Sequence, residues 1–308
     1  MSRDYIEIIK PGALSLLQDL GRFGQSQMGI TQGGALDDYA YSWANKLLSN
    51  PAGAACIEIT LGQSSYRINA DCQLAITGAE MNAKLDDQPI SNWASFNARK
   101  GQTLSFAIAQ SGLRSYLAVK HGFQVEPQLG STSTVARDKL GGLTQGLALQ
   151  PGDKLPVIAT QASKQNQLSF RFTPDYSLPI KLRVIEGFQT QLFSDEALNH
   201  FYQTSFTVSQ NINRMGYRLT GPKVDAPTDT LLSEGIALGA IQVPPDGEPI
   251  ILLNDRQTLG GYPKLGCVAR VDLPRLAQAK PGQTVSFVKG DLSELQSIWC
   301  RWADYFGY

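Results

Sequence analysis

An excess of charge of either sign is missing. Lys and Arg number 27, Asp and Glu number 27, and the formal net charge is 0. A generic nucleic-acid or acidic-membrane binder needs a positive surplus, so neither partner is expected. Histidine is scarce, with only two, His121 and His200, and the four cysteines (Cys56, Cys72, Cys267, Cys300) lie far apart with no C-x-x-C pair. No metal site is expected from such spacing, and free thiols in a reducing cytoplasm are the simple reading. No uncharged apolar run approaches the roughly 20 residues of a membrane span. The opening Met1-Ser2-Arg3-Asp4-Tyr5-Ile6-Glu7 carries charge where a signal peptide needs an apolar core. The G-x-S-x-G nucleophile elbow, the H-E-x-x-H zinc helix and the G-K-[ST] phosphate loop are all absent.

What is present describes a globular chain. Its 308 residues, 42% hydrophobic and 18% charged, exclude a disordered chain or a coiled coil. At roughly 150 residues per domain the length predicts two domains, placed at 1–165 and 180–308, with the polar, Gln-rich stretch from Gln161 to Pro179 as linker. The 29 glycines and 16 prolines are spread evenly, which favours many short strands. Strands are predicted at Tyr5–Ile9, Ser65–Ile68, Leu74–Ile76, Thr103–Ala107, Ser115–Val119, Leu182–Ile185, Ile250–Leu253 and Thr284–Val288. Helices are fewer: Asp37–Leu48 ahead of Asn50-Pro51, Ser194–Phe201, Leu273–Ala279, and Leu292–Phe306. In the last, Leu295, Ile298, Trp299, Trp302 and Phe306 fall at helical spacing, the mark of a docked C-terminal helix. The fold class is therefore mainly β with a few helices. A faint repeat also shows. Asp86-Asp87-Gln88-Pro89-Ile90 precedes Lys100-Gly101-Gln102-Thr103-Leu104-Ser105-Phe106, and Asp246-Gly247-Glu248-Pro249-Ile250 precedes Pro281-Gly282-Gln283-Thr284-Val285-Ser286-Phe287. Two such units imply two related β-barrel-like halves.

Four glycine-rich segments hold more polar groups than simple turns require. Gln18-Asp19-Leu20-Gly21-Arg22 leads into Gly33-Gly34-Ala35-Leu36-Asp37, where Asp37 is placed to cap the following helix. Gly130-Ser131-Thr132-Ser133-Thr134, with Arg137 following, clusters hydroxyls and backbone N–H groups that can hold an anion. In Asn213-Arg214-Met215-Gly216-Tyr217-Arg218-Leu219, a strand reading puts Arg214 and Arg218 on one face, each able to fork onto a phosphate or carboxylate, or to pair with surface carboxylates. In Asn254-Asp255-Arg256-Gln257-Thr258, followed by Gly260-Gly261-Tyr262-Pro263, polar side chains crowd onto a loop beside an apolar strand. Glu58, on the apolar strand Ile57-Glu58-Ile59, needs a partner such as an arginine, and His121 follows a strand where a general base could sit.

These segments, in this order, resemble the carboxyltransferase-domain family, subdomains A and B, which includes allophanate hydrolase subunit 2, KipA and the C-type subunit of 5-oxoprolinase. The resemblance runs from about Ile8 to Val288 and rests on Gln18-Asp19 with Gly21-Arg22, Gly34-Ala35-Leu36-Asp37, Glu58-Ile59-Thr60-Leu61-Gly62, Arg114-Ser115-Tyr116-Leu117-Ala118-Val119, Gly130-Ser131 with Ser133-Thr134, the Asn213–Leu219 segment, and Gln257-Thr258 with Gly260-Gly261-Tyr262-Pro263. It departs at Ile212, where the family pattern usually has serine, at Leu259, where it often has a second threonine, and at Lys120-His121-Gly122, where relatives tend to show Ala-Gly-Gly. The resemblance implies two cyclophilin-like β-barrel halves and a cytoplasmic enzyme subunit that works in a hetero-oligomer. Its partners would be a KipI-like chain, the B-type subunit of 5-oxoprolinase, carrying subdomains C and D, and a third 5-oxoprolinase subunit. The implied reaction converts 5-oxo-L-proline and ATP, with Mg2+, to L-glutamate, ADP and phosphate. The alternatives are biotin-dependent carboxyl transfer to a urea-like amide, with biotin supplied by another chain, and a KipA-like regulatory binding protein that antagonises a kinase inhibitor. The catalytic residues expected are Arg214, Asn254, Asp255 and Tyr262. Those expected to bind substrate or phosphate are Arg22, Ser131, Ser133, Asn213, Arg218, Thr258, Gly260 and Gly261.

Overall fold

A computed structural model describes residues 4–227 and 231–308; Met1, Ser2 and Arg3 of the charged opening lie outside the described residues. The chain forms two compact units. The first takes residues up to Phe23, Gly33–Ser177 and Phe306–Tyr308, and the second takes Gly24–Gln32 and Leu178–Tyr305.

The first unit is built on two sheets. One has the spatial order Leu14–Gln18, Cys56–Thr60, Ser111–Val119, Cys72–Glu80, Ala94–Ala98, and the other Lys154–Pro156, Tyr5–Lys10, Ser65–Ile68, Thr103–Ser105, Lys84–Leu85, Gln88–Pro89. Alternation along the strands explains their packing. Ile57, Ile59, Leu74, Ile76, Leu117 and Val119 point into a core shared with Ile6, Ile8, Tyr66 and Ile68 of the other sheet. The intervening Cys56, Ala75, Tyr116 and Ala118 face the opposite way, into a second core with helix α1, Asp38–Leu47. The first sheet is thus covered on both sides, and strands such as Cys56–Thr60 are buried along nearly their whole length, Glu58 included.

Helix α1 starts where the sequence places it. Asp37 accepts from Ala40 N at 2.8 Å, and Asp38 and Lys46 complement the helix dipole at its two ends.

Of the Gln-rich stretch predicted as a linker, residues 161–177 belong instead to the first unit, and the change to the second falls between Ser177 and Leu178. The backbone of that stretch lies along the edge strand Ala94–Ala98, with Ser95 N donating to Asn166 O, Leu168 N to Trp93 O, and Asn97 Nδ2 to Ser163 O. A polar composition there satisfies a sheet edge, which would otherwise leave backbone groups unpaired.

The second unit is a closed barrel in the order Ile180–Glu186, Lys264–Val268, Ala240–Gln242, Ile250–Leu252, Gly216–Thr220, Ser205–Ile212, Thr284–Lys289, with the parallel pairing of the last to the first closing the ring. Alternate residues (Leu182, Val184, Tyr217, Leu219, Ile241, Ile251, Val285) are fully buried. Of the opposite set, Ala240, Ile250, Leu252 and Cys267 form a separate cluster with Ile236 of a small flap, Glu234–Gly235 paired with Leu259–Gly260. Helix α2, Asp195–Gln203, is capped by Ser194 and stacks Phe201 on Phe287 at 4.4 Å. Helices α3, Leu273–Ala277, and α4, Leu292–Phe306, also follow the sequence expectation. In α4, Trp299 and Trp302 stack at 4.7 Å, and the Arg270 guanidinium lies 3.8 Å over Trp299.

The sequence repeat is a structural one. Gly101 N donates to Ile68 O and Ile68 N to Gln102 O; in the second unit Gly282 N donates to Val208 O and Val208 N to Gln283 O. Each turn places glycine at positive φ (94° and 90°) and launches a strand. No helix among the described residues is long and apolar enough to cross a membrane.

Candidate functional site

In the first unit the polar segments converge on Asp19, which is buried. Its Oδ1 accepts from Gly21 N at 2.8 Å, Ser131 Oγ at 2.6 Å and Ser133 Oγ at 2.5 Å. Its Oδ2 accepts from Thr132 N at 2.6 Å and Thr132 Oγ1 at 3.0 Å. Ser133 Oγ also receives Asp19 N. The fully buried Arg22 then donates from Nε to Gln128 O at 3.0 Å and from Nη2 to Ser131 O at 3.1 Å. Glycine is required where this turn crosses its neighbours. A Cβ on Gly34 would lie 2.8 Å from Leu20 O, and one on Gly141 2.0 Å from Ser133 O.

The hydroxyl loop is therefore wrapped around a carboxylate. The Ser131 and Ser133 protons, which the sequence reading aims at a phosphate, are directed at Asp19. The N–H groups of residues 131–135 bond to Gln128 O, Asp19, Ser131 Oγ, Leu17 O and Leu140 O. A cluster of hydroxyls signals an acceptor, and here the chain supplies that acceptor itself.

Close by, Glu58 is 1% exposed. Its Oε2 accepts from Leu36 N at 3.0 Å and Tyr116 Oη at 2.7 Å, and Arg114 Nε lies 3.9 Å from Oε1. Tyr116 Oη in turn accepts from Asp37 N at 2.8 Å. Burial first, and the Glu58 charge second, hold the Tyr116 phenol well above its ordinary value. Glu58 thus holds the start of α1 in place. His121 sits exposed in a turn at φ 71°.

In the second unit Arg214 and Arg218 part company. The strand begins only at Gly216, because Asn213 folds its side chain into the preceding turn, accepting from Met215 N at 2.7 Å and Gly216 N at 3.3 Å. Arg214 therefore sits in the turn and not on the strand face assumed from its spacing. It is buried and paired in a fork with Asp255, Nε to Oδ2 and Nη2 to Oδ1, both 2.9 Å. Asp255 N returns a bond to Arg214 O at 2.9 Å, and Asn254 beside it is buried. Both Asp255 oxygens accept from the guanidinium. Among the described residues no group of three or more His, Cys, Asp or Glu is placed to hold a metal.

Arg218 instead clamps the 246–248 turn, donating to Glu248 Oε2 at 2.8 Å and to Asp246; Lys223 completes the set at 3.0 Å from Glu248. These cations hold the Glu248 carboxyl below its usual range. That is a surface ion-pair network, the second of the two roles open to Arg218 from sequence.

Thr258, Gly260, Gly261 and Tyr262 line the flap, where Ile236 N donates to Thr258 O and Tyr262 is exposed. Leu259, which replaces a family threonine, is exposed as well. Two residues here escape a sequence reading. Arg256 donates to the carbonyls of Ile236 and Leu253, at 3.0 and 3.3 Å. Gln242 is 2% exposed on a barrel strand. Neither stands out in sequence, because an arginine beside Asp255 looks like half of a surface pair.

Comparison with known proteins places these features in context. Residues 28–289 match the family described as carboxyltransferase domain, subdomain A and B. The chain is 39% identical over 290 residues to the C-type subunit of 5-oxoprolinase from Escherichia coli (strain K12), covering 94% of this chain and 92% of that one. It is 35% identical over 294 residues to the protein of the same name from Haemophilus influenzae, covering 95% and 94%. Among solved structures, the Kluyveromyces lactis urea amidolyase superimposes with TM-score 0.87 at 27% identity, over 99% of this chain and 20% of that one.

Proposed function

The chain belongs to the carboxyltransferase family of subdomains A and B, and we propose that it is the C-type subunit of an ATP-dependent 5-oxoprolinase. In this reading the assembled enzyme opens the lactam of 5-oxo-L-proline to L-glutamate while ATP becomes ADP and phosphate. A KipI-like, B-type partner bearing subdomains C and D, together with a third subunit, completes it. The observation that carries the reading is the near end-to-end similarity to two 5-oxoprolinase subunits, whereas the chain spans a fifth of the urea amidolyase.

A lactam is a poor electrophile. Transfer of the ATP γ-phosphoryl group to its oxygen releases ADP and activates the ring carbon; water adds there, the C–N bond breaks as the nitrogen takes a proton, and a second water releases phosphate from the acyl phosphate, with fixed donors in a dry site stabilising the negative charge that develops. Arg214 suits that task, since Asp255 holds its guanidinium in one orientation. Asp255 is then a positioning residue, and Asn254 and Tyr262 flank the loop that presents the substrate. Nucleotide and Mg2+ are co-substrates of the complex.

The test is ATP- and 5-oxo-L-proline-dependent glutamate formation by the chain mixed with its partner subunits. Arg214→Ala is expected to lower turnover by about 10²- to 10³-fold, the usual loss of one preorganised donor. Unaltered turnover in that variant removes Arg214 from the chemistry. Avidin-sensitive carboxylation of urea by the same mixture would replace the reading with biotin-dependent carboxyl transfer.

A further inference from the structure

We propose that Arg256 and Gln242 form a carboxylate-binding subsite under the flap of the second unit, one that takes the carboxylate of the lactam substrate. The assignment rests on the 5-oxoprolinase reading and adds two residues which that reading does not use.

Arg256 is the first observation. Its partners are two backbone carbonyls, Ile236 O at 3.0 Å from Nε and Leu253 O at 3.3 Å from Nη1, and no carboxylate among the described residues pairs with it. Burial is the leading influence on this guanidinium and pulls its pKa below the ordinary arginine value. The nearby acid is already engaged: Glu234 Oε1 accepts from Lys264 Nζ at 2.8 Å and from Gln189 Nε2 at 2.7 Å. A partly desolvated cation without a counter-ion is unfavourable, and an anion removes the penalty.

Gln242 is the second and independent observation. It is 2% exposed, and its Nε2 has no acceptor. A buried amide donor left unpaired is the exception in folded proteins. Both residues neighbour Ile236. A Cβ built on Gly260 would lie 2.7 Å from Ile236 Cδ1, 3.1 Å from Gln242 Nε2 and 3.5 Å from Gln257 Nε2, and Ile236 supplies the carbonyl that holds Arg256. Ile236, Ala240 and Leu252 add an apolar wall suited to ring methylenes. A planar carboxylate offers one oxygen to a guanidinium and one to an amide, so a single ligand answers both deficits. Urea has no such group.

The experiment compares thermal stabilisation of the purified full chain by 5-oxo-L-proline, by 2-pyrrolidinone (the same ring without the carboxylate) and by inorganic phosphate. It uses the wild type, Arg256→Gln and Gln242→Leu. The subsite predicts stabilisation by 5-oxo-L-proline alone, lost in both variants, with ligand-free melting temperatures that do not fall. In the assembled enzyme the KM for 5-oxo-L-proline rises roughly 10- to 100-fold in Arg256→Gln, the loss expected for a charge-assisted hydrogen bond, while kcat changes far less. An unchanged ligand response in both variants overturns the subsite, as does an Arg256-dependent response to phosphate but not to 5-oxo-L-proline. If the complex forms no glutamate yet the Arg256-dependent response to 5-oxo-L-proline persists, the subsite stands and the 5-oxoprolinase reading falls.

Discussion

Gln102 and Gln283 fold their side chains back in the same way, one in each unit. Each carboxamide oxygen accepts from the backbone N–H three residues earlier, Arg99 at 2.8 Å and Lys280 at 2.7 Å, and each closes a glycine turn that opens a strand. The repeated Gly-Gln-Thr is thus one turn used twice, with the glutamine as its clasp. Replacing either glutamine by leucine should lower stability by about 1 kcal/mol, the usual net value of one such bond. Gln102→Leu also removes the Gln102 Nε2 bond to Asp86, 3.0 Å long. Melting temperatures of the two variants, measured side by side, check both losses; an unaffected Gln283→Leu would mean its clasp is ornamental.

Asp19 should be the most sensitive polar residue of the first unit. Asp19→Asn puts an amide N–H₂ against donors from Thr132 or from Ser131 and Ser133, and should destabilise by about 2–4 kcal/mol. Ser131→Ala removes one donor and should cost about half as much. Calorimetric melting should rank wild type above Ser131→Ala above Asp19→Asn, and the reverse order for the two variants would contradict the wrapped-carboxylate arrangement.

Breaking the Arg214–Asp255 fork should separate stability from activity. Asp255→Ala leaves a buried cation and should destabilise by about 3–5 kcal/mol, whereas Arg214→Met combined with Asp255→Leu should recover most of that loss. Turnover by the reconstituted complex should stay low in both. Restored turnover in the double variant would show that the pair serves packing alone.

The thiols should differ sharply in reactivity. Cys300 is exposed, Cys267 lies between, and Cys56 and Cys72 are buried. Burial pushes the Cys72 thiol up to about 12, with Asp71 adding to the effect, and raises Cys56 strongly too. Thiol titration at pH 8 should find Cys300 fast and Cys56 and Cys72 silent until denaturant is added. The unfolded chain ionises these thiols at about pH 8.5 while the folded one keeps its protons. Stability should therefore fall as pH rises above that value, and Cys72→Ala should soften the fall.

Much of this architecture is legible in the sequence alone. The four helices, the Asp37 cap, the Gly-Gln-Thr repeat and the need of Glu58 for partners are local facts, set by periodicity, capping chemistry and the cost of a buried charge. Strands such as Ala94–Ala98 and Ser205–Ile212 are harder to read, since their polar residues satisfy edges and turns and blur the alternation.

The sites divide along the same line. Residue types announce that polar chemistry gathers near Ser131, Arg214 and the Asn254–Tyr262 loop, because hydroxyls, guanidinium groups and glycines have few other uses in clusters. Which acceptor meets which donor is decided by tertiary structure. Ser131 finds Asp19 across 112 residues, Arg214 finds Asp255 across 41, and Arg218, only four positions away, turns to Glu248. Arg256 is left with carbonyls alone, because Asp255, its neighbour in sequence, has been claimed by Arg214. Hydrogen bonds and ion pairs act over a few ångströms, so their pairing depends on which chain segments the cores bring together.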